Sequence, residues 1–249
     1  MKLYAGLKEI VKTYLGERLV YVSSSDTPTD TPTLTHTEIE YLEGDKVSYI
    51  NTGVIGKADL TFDIELYTPT TSIVGYTYIM GCSDATYRFY PIAFYGGRFA
   101  KRLGSSNWTT GNDGVIKAGD HRFLIKTSTQ KDIGIVWGGT TTETMAYYGA
   151  WEYVDGELVS RSLNTSAYKV PTETEMYLFA INNNGTASVG NSNFTDTTGY
   201  LRIKACKIWD KDINRNDVLI RDYVAVERSD GVKCLYDKVE SKYYEFQTA

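Results

Sequence analysis

The sequence predicts an all-β protein: one large sandwich of jelly-roll type, joined by a Ser/Thr/Pro tether to a small N-terminal β-meander. Three observations predict it. From residue 38 onward, short apolar or alternating runs recur, and none sustains a helical period. The stretches between them are rich in Gly, Asn and Asp, the residues of tight turns. Between the first 22 residues and this array, the composition shifts abruptly to Ser, Thr and Pro.

Residues 1–22 carry an internal echo. Leu3-Tyr4-Ala5-Gly6 returns as Thr13-Tyr14-Leu15-Gly16, and each copy runs on to an aliphatic pair, Ile10-Val11 and Leu19-Val20. Aromatic and β-branched residues broken by Gly at a fixed offset suggest a β-meander. Leu3, Leu7, Ile10, Val11 and Tyr14 also fit one face of an amphipathic helix. Strands are favoured over that alternative because Gly6 and Gly16 each cost helix stability. In either form 22 residues do not make a stable core alone. A folded appendage of this size implies a partner surface, with Tyr4, Gly6, Tyr14 and Gly16 as its anchor residues.

Residues 23–37, SSSDTPTDTPTLTHT, hold nine Ser or Thr and two Pro. Such a segment buries too little apolar surface to offset its ordering entropy, and Pro stiffens it toward an extended path. We read it as a tether with a reach of at most about 50 Å.

Residues 38–249 form the main domain. In LTFDIELY (60–67), Leu60, Phe62, Ile64 and Leu66 share one face and Asp63 and Glu65 the other. YTYIMG (76–81), YRFYPIAFYG (87–96), HRFLIKTS (121–128), DIGIVWG (132–138) and EMYLFAI (175–181) read as further strands. YLRIKACKIW (200–209) alternates imperfectly, which suggests that both of its faces are partly covered. Val154-Asp155-Gly156-Glu157 has the signature of a two-residue hairpin, and 211–220 has room for a short turn.

Composition narrows the function classes. Hydrophobic residues make up 42% and charged residues 23% of the 249, which is ordinary globular composition. The net charge is −5, and no basic run exceeds the pair Lys101-Arg102, so nucleic acid is not expected as a partner. The three cysteines, Cys82, Cys206 and Cys234, are far apart and show no metal spacing; buried reduced thiols are expected. No run approaches the roughly 18 apolar residues of a membrane helix. Lys8, Glu9, Lys12, Glu17 and Arg18 interrupt the roughly 7–15 apolar residues that a secretory leader needs. Synthesis in a bacterial cytoplasm, with no membrane partner, is the expectation.

Four motifs carry a family resemblance. YLEGDKVSYINTGV (41–54) is similar to the opening strand of the concanavalin-like, or laminin-G-like, jelly-roll domains of gut bacteria and their phages. Asn51 stands where that family usually has a carboxylate. YLFAINNNGTAS (177–188), LRIKACKIWDKD (201–212) and LIRDYVAVERSDGVKCLYDKVESKYYEF (219–246) resemble the family's later strands in the same order. Val226 departs from a position that is often occupied by proline. The resemblance covers about 38–246 and implies the fold; it implies function only loosely. The Tyr-x-Gly repeat of residues 1–22 resembles short leader segments of phage virion proteins.

No catalytic constellation stands out. Retaining glycosidases on this fold hold two carboxylates about 5 Å apart on a strand face. The nearest match, Asp63-Ile64-Glu65, lacks the family's third carboxylate and reads as a solvated strand face; Glu173 and Glu175 are similarly bland. His36 lies in the tether. His121 follows Asp120 without a nucleophile motif. Neither zinc spacing nor a phosphate loop is present. No cofactor is expected, although laminin-G-like domains often hold calcium with Asp, Asn and backbone oxygens. The loops offering such oxygens are Asn182 to Asn184 and Asn191 to Asp196, with Asn182, Asn184 and Asp196 as the nominal ligands. These residues serve turns equally well.

The 21 tyrosines and 4 tryptophans are the more telling excess. Their flat faces and polar tips suit wet interfaces and sugars alike. Trp108 in a Gly/Ser/Asn-rich loop, and Trp151 beside Tyr147 and Tyr148, are the candidate ligand-binding residues; Trp137 and Trp209, inside strands, are expected in the core. The function expected is a non-enzymatic bacteriophage virion protein, a fibre or decoration subunit. Residues 1–22 would dock on other virion proteins, and a jelly roll, as a homo-oligomer, would meet subunits or a host-surface glycan. A bacterial glycan-binding or adhesion module is the alternative, and a glycoside hydrolase comes third.

Overall fold

The computed structural model describes the backbone over residues 3–5, 8–15, 18–23, 34–69, 76–95, 98–104, 109–110, 117–132, 135–137, 140–142, 147–164, 169–171, 173–189 and 201–249, and side chains over 34–69, 77–95, 98–104, 117–127, 150–159, 169–171, 173–189 and 201–249. The chain divides into two compact units, Met1–Thr35 and His36–Ala249.

The first unit is a three-stranded antiparallel sheet of β1 (Leu3–Ala5), β2 (Lys8–Leu15) and β3 (Arg18–Ser23), in that order. Ala5 is opposite Lys8 and Leu15 is opposite Arg18, so each copy of the Tyr-x-Gly repeat ends a strand just before a reversal. This is the meander that the glycines argue for.

The second unit opens with β4 (His36–Glu38), β5 (Leu42–Glu43), β6 (Ser48–Ile55) and β7 (Thr61–Thr68). There follow β8 (Tyr76–Ser83), β9 (Arg88–Tyr95), β10 (Arg98–Gly104) and β11 (Thr109–Thr110). The middle comprises β12 (Gly119–Asp132), the hairpin pair β13 (Ile135–Trp137) and β14 (Thr140–Thr142), β15 (Tyr147–Val154) and β16 (Glu157–Asn164). Next come β17 (Glu175–Leu178), β18 (Ala180–Asn183) and β19 (Thr186–Val189). The last are β20 (Arg202–Lys211), β21 (Asp217–Arg228), β22 (Lys233–Asp237), β23 (Lys242–Tyr244) and β24 (Gln247–Thr248).

Apart from β13 and β14, which pair with each other, these strands make two large sheets packed as a β-sandwich. The ten-stranded sheet runs β16-β15-β12-β7-β20-β21-β22-β23, with β4 on β21 and β5 on β20. The nine-stranded sheet runs β11-β10-β9-β8-β17-β6-β24, with β18 on β8 and β19 on β18. All pairs are antiparallel except β18 with β8. β4 pairs within the stretch that composition assigns to the tether: His36 is opposite Arg228, and its ring hydrogen-bonds to the Tyr243 hydroxyl at 2.8 Å.

The core lies between the sheets. Phe62, Ile64 and Leu66 of β7 are fully buried, as their alternation predicts. Each such side chain contributes roughly 1.5–3 kcal/mol of transfer free energy. Ring contacts cross the gap: Phe62 to Phe89 at 6.1 Å and Phe94 to Phe123 at 5.9 Å. Val154 is opposite Glu157, with Asp155 and Gly156 both at positive φ, the two-residue turn read from Asp-Gly.

Two features were not legible. The imperfect alternation of β20 is a bulge: pairing with β7 slips between Ile203 and Ala205, so Ile203 points inward before it and Cys206 and Ile208 after it. Pro91 sits in β9, between two partners, where its missing N–H should break the ladder. The register slips in both neighbours, between Ala100 and Arg102 and between Met80 and Cys82, and Pro91 faces no partner.

Candidate functional site

The outward face of the ten-stranded sheet gathers the polar and aromatic side chains that the core does not use. Residues directly opposite each other on neighbouring strands point to the same face. Leu66 and Phe123 point inward, so Glu65 of β7 and Arg122 of β12, which are paired, point outward. Around the start of β12, Glu65, Leu66, Asp120, His121, Arg122, Asp155 and Lys204 line an open cavity of about 320 Å³ that takes side chains from both faces of the sheet. Its charges are largely spoken for. Arg122 takes both oxygens of Asp63, at 2.8 and 2.6 Å, and this pairing pushes the guanidinium pKa up. Lys204, in the β20 bulge, reaches Asp120 at 3.1 Å, which raises its pKa in turn.

The catalytic candidates are engaged likewise. His121 Nδ1 lies 2.8 Å from Asp155 Oδ2, and its Nε2 lies 2.8 Å from the Lys117 carbonyl oxygen. Neither ring nitrogen is left to act as a base. Asp63 and Glu65 share the face as expected, but the grip of Arg122 makes Asp63 a structural carboxylate. Glu175 accepts a 2.6 Å hydrogen bond from Asn51.

The calcium candidates are turn residues where they are described. The Asn182 side-chain oxygen accepts from the Gly185 N–H at 2.7 Å, and its amide donates to the Glu175 carbonyl at 3.0 Å. Asn184 supplies the positive φ of that turn. Among the described residues no three His, Cys, Asp or Glu side chains are grouped to hold a metal, and no helix is long and apolar enough to cross a membrane. Asp196 lies outside the described residues.

Of the aromatic candidates, Trp151 is placed and half-buried on the outward face of β15. Trp108, and the side chains of Tyr147, Tyr148, Trp137, Tyr4 and Tyr14, lie outside the described residues, as do Gly6 and Gly16. Trp209 corrects an expectation. It is opposite Thr61 on the outward side of β20 and half-buried, not in the core, because the bulge at Lys204 reverses the phase of the strand. Register thus sets Trp151, Lys126, Thr61 and Trp209 in one row across β15, β12, β7 and β20. Lys126 and Trp209 were missed because only the pairing register shows them on one line.

A second cluster ties the sheets together. Arg221 Nε lies 3.4 Å from the Thr52 carbonyl and 3.6 Å from the fully buried Asp237 carboxylate, and its Nη1 lies 2.6 Å from Glu240. Gly53 of β6 packs beside Arg221 and Tyr244 and takes a positive φ that side-chain-bearing residues rarely adopt. These are residues of the opening and closing motifs, and their work here is structural.

No protein-family model matches this chain, and no curated protein is detectably similar to it.

Proposed function

We propose that this chain is a non-enzymatic structural protein of a bacteriophage particle. Its N-terminal sheet docks on other virion proteins, and its β-sandwich, a concanavalin-like jelly roll in this reading, meets neighbouring subunits or the host surface. The observation that carries the proposal is the two-unit build. A three-stranded sheet between Leu3 and Ser23, too small for a core of its own, precedes a sandwich that has a complete one. Such a sheet gains stability by joining a partner, as strands do when they extend a partner's sheet edge. Display in many copies would make weak contacts by the sandwich effective through avidity.

The test is mass spectrometry of density-purified particles from the source culture, scaled to the major capsid protein. Stoichiometric peptides from both units support the reading. Recovery from cell surfaces instead overturns it in favour of a bacterial adhesion module. Deleting residues 1–23 should abolish incorporation and leave the sandwich folded.

A further inference from the structure

We infer that the row Trp151, Lys126, Thr61 and Trp209 is the contact surface for an acidic polysaccharide. This rests on the reading of the sandwich as a surface-contacting module and names the class of its ligand. The row crosses four adjacent strands, so the backbones of its two tryptophans lie about 14 Å apart, three strand spacings. Both are half-buried and outward-facing, which leaves part of each open to solvent.

A sugar ring presents C–H-rich faces and a rim of hydroxyls. An indole offers the matching pair, an apolar face and one N–H donor. Between the two indoles stands Lys126, exposed, and beside it Thr61, 8% exposed. The neighbouring cations of the face are paired: Arg122 with Asp63, Lys204 with Asp120, and Lys207 with Asp222 at 3.9 Å. Among the described residues no ion pair takes up Lys126. An ammonium beside one indole and two strands from the other complements a carboxylate borne by a sugar stacked in the row, so an acidic glycan is preferred to a neutral one.

The experiment uses the full chain on an immobilised panel of acidic and neutral bacterial polysaccharides. Capture on acidic members is expected, weakened by salt and reduced about tenfold or more, the loss of one stacking contact, in Trp209→Ala and Trp151→Ala. Lys126→Glu, whose side chain is exposed and does not threaten the fold, should abolish it. The urea midpoint of each variant shows whether it is folded. Absence of capture on any acidic polysaccharide, or capture unchanged in folded Lys126→Glu, overturns the inference. So does sedimentation that shows a wild-type oligomer lost in Trp209→Ala, which would make the row a subunit interface. Particle incorporation is measured in parallel. If the wild-type chain is incorporated into particles yet captures no acidic polysaccharide, only the ligand is wrong; if residues 1–23 prove dispensable for incorporation, the virion reading itself falls.

Discussion

The Tyr223 hydroxyl donates to the Thr52 carbonyl oxygen at 2.6 Å, joining the two sheets across 171 residues of sequence. Tyr223 is fully buried, and burial pushes its pKa strongly up, so the phenol stays a donor. Removing the hydroxyl takes its 2.6 Å donor from the Thr52 carbonyl, whose contact with Arg221 is a long 3.4 Å. Tyr223→Phe should therefore cost about 1–2 kcal/mol. Urea unfolding checks it: the midpoint should fall with the slope unchanged, and an unmoved midpoint would remove Tyr223 from the sheet-to-sheet tie.

Lys101 of β10 and Glu152 of β15 form an ion pair in the interior, 2% and 0% exposed. Burial pushes the Lys101 pKa down, against the pull of Glu152. Truncating one partner removes the buried counter-ion of the other, so Lys101→Met should cost about 3–5 kcal/mol. Lys101→Met combined with Glu152→Leu should recover most of that loss, since an apolar pair meets no desolvation penalty. A double variant no more stable than the single one would show that packing, not charge, sets the cost.

The three thiols are free and buried. Burial raises Cys82 to about 12 and Cys234 to about 11, and it moves Cys206 upward as well. Only the thiolate is nucleophilic. Native protein at neutral pH should resist iodoacetamide, and urea should expose all three to alkylation together. Rapid labelling of one thiol in the native state would mark a local opening.

Much of the sandwich is legible one strand at a time. Phe62, Ile64 and Leu66 alternate because one face of β7 is buried, and Asp155-Gly156 closes a hairpin because its φ angles demand it. What was not legible depends on a neighbour. His36 joins a sheet because β21 offers an edge, although its own surroundings are tether-like. The inward phase of β20 changes at Lys204 because β7 slips there, and no single-strand pattern encodes that slip. The candidate row was half legible for the same reason. Trp151 stood out by composition, whereas Lys126, Thr61 and Trp209 become a site only once four strands are in register.

Tyrosine burial also predicts a response to alkali. Tyr177, stacked on Tyr49 at 4.2 Å, has its pKa raised by burial from 10.0 to about 12, and Tyr244 is raised likewise. The folded state holds these phenols neutral where the unfolded chain would ionise them. Their contribution to stability is complete below about pH 10 and is lost as pH climbs through about 12, because the unfolded state binds fewer protons in that window. The urea midpoint should fall steadily from pH 10 to 12. Tyr177→Phe, which keeps the ring but removes the ionisable group and its hydrogen bond to Tyr49, should flatten that fall and lower the midpoint at neutral pH by the worth of one hydrogen bond, about 1 kcal/mol. An identical slope in the variant would assign the alkaline loss to other groups, with Tyr244 and the buried Tyr223 next to be tested.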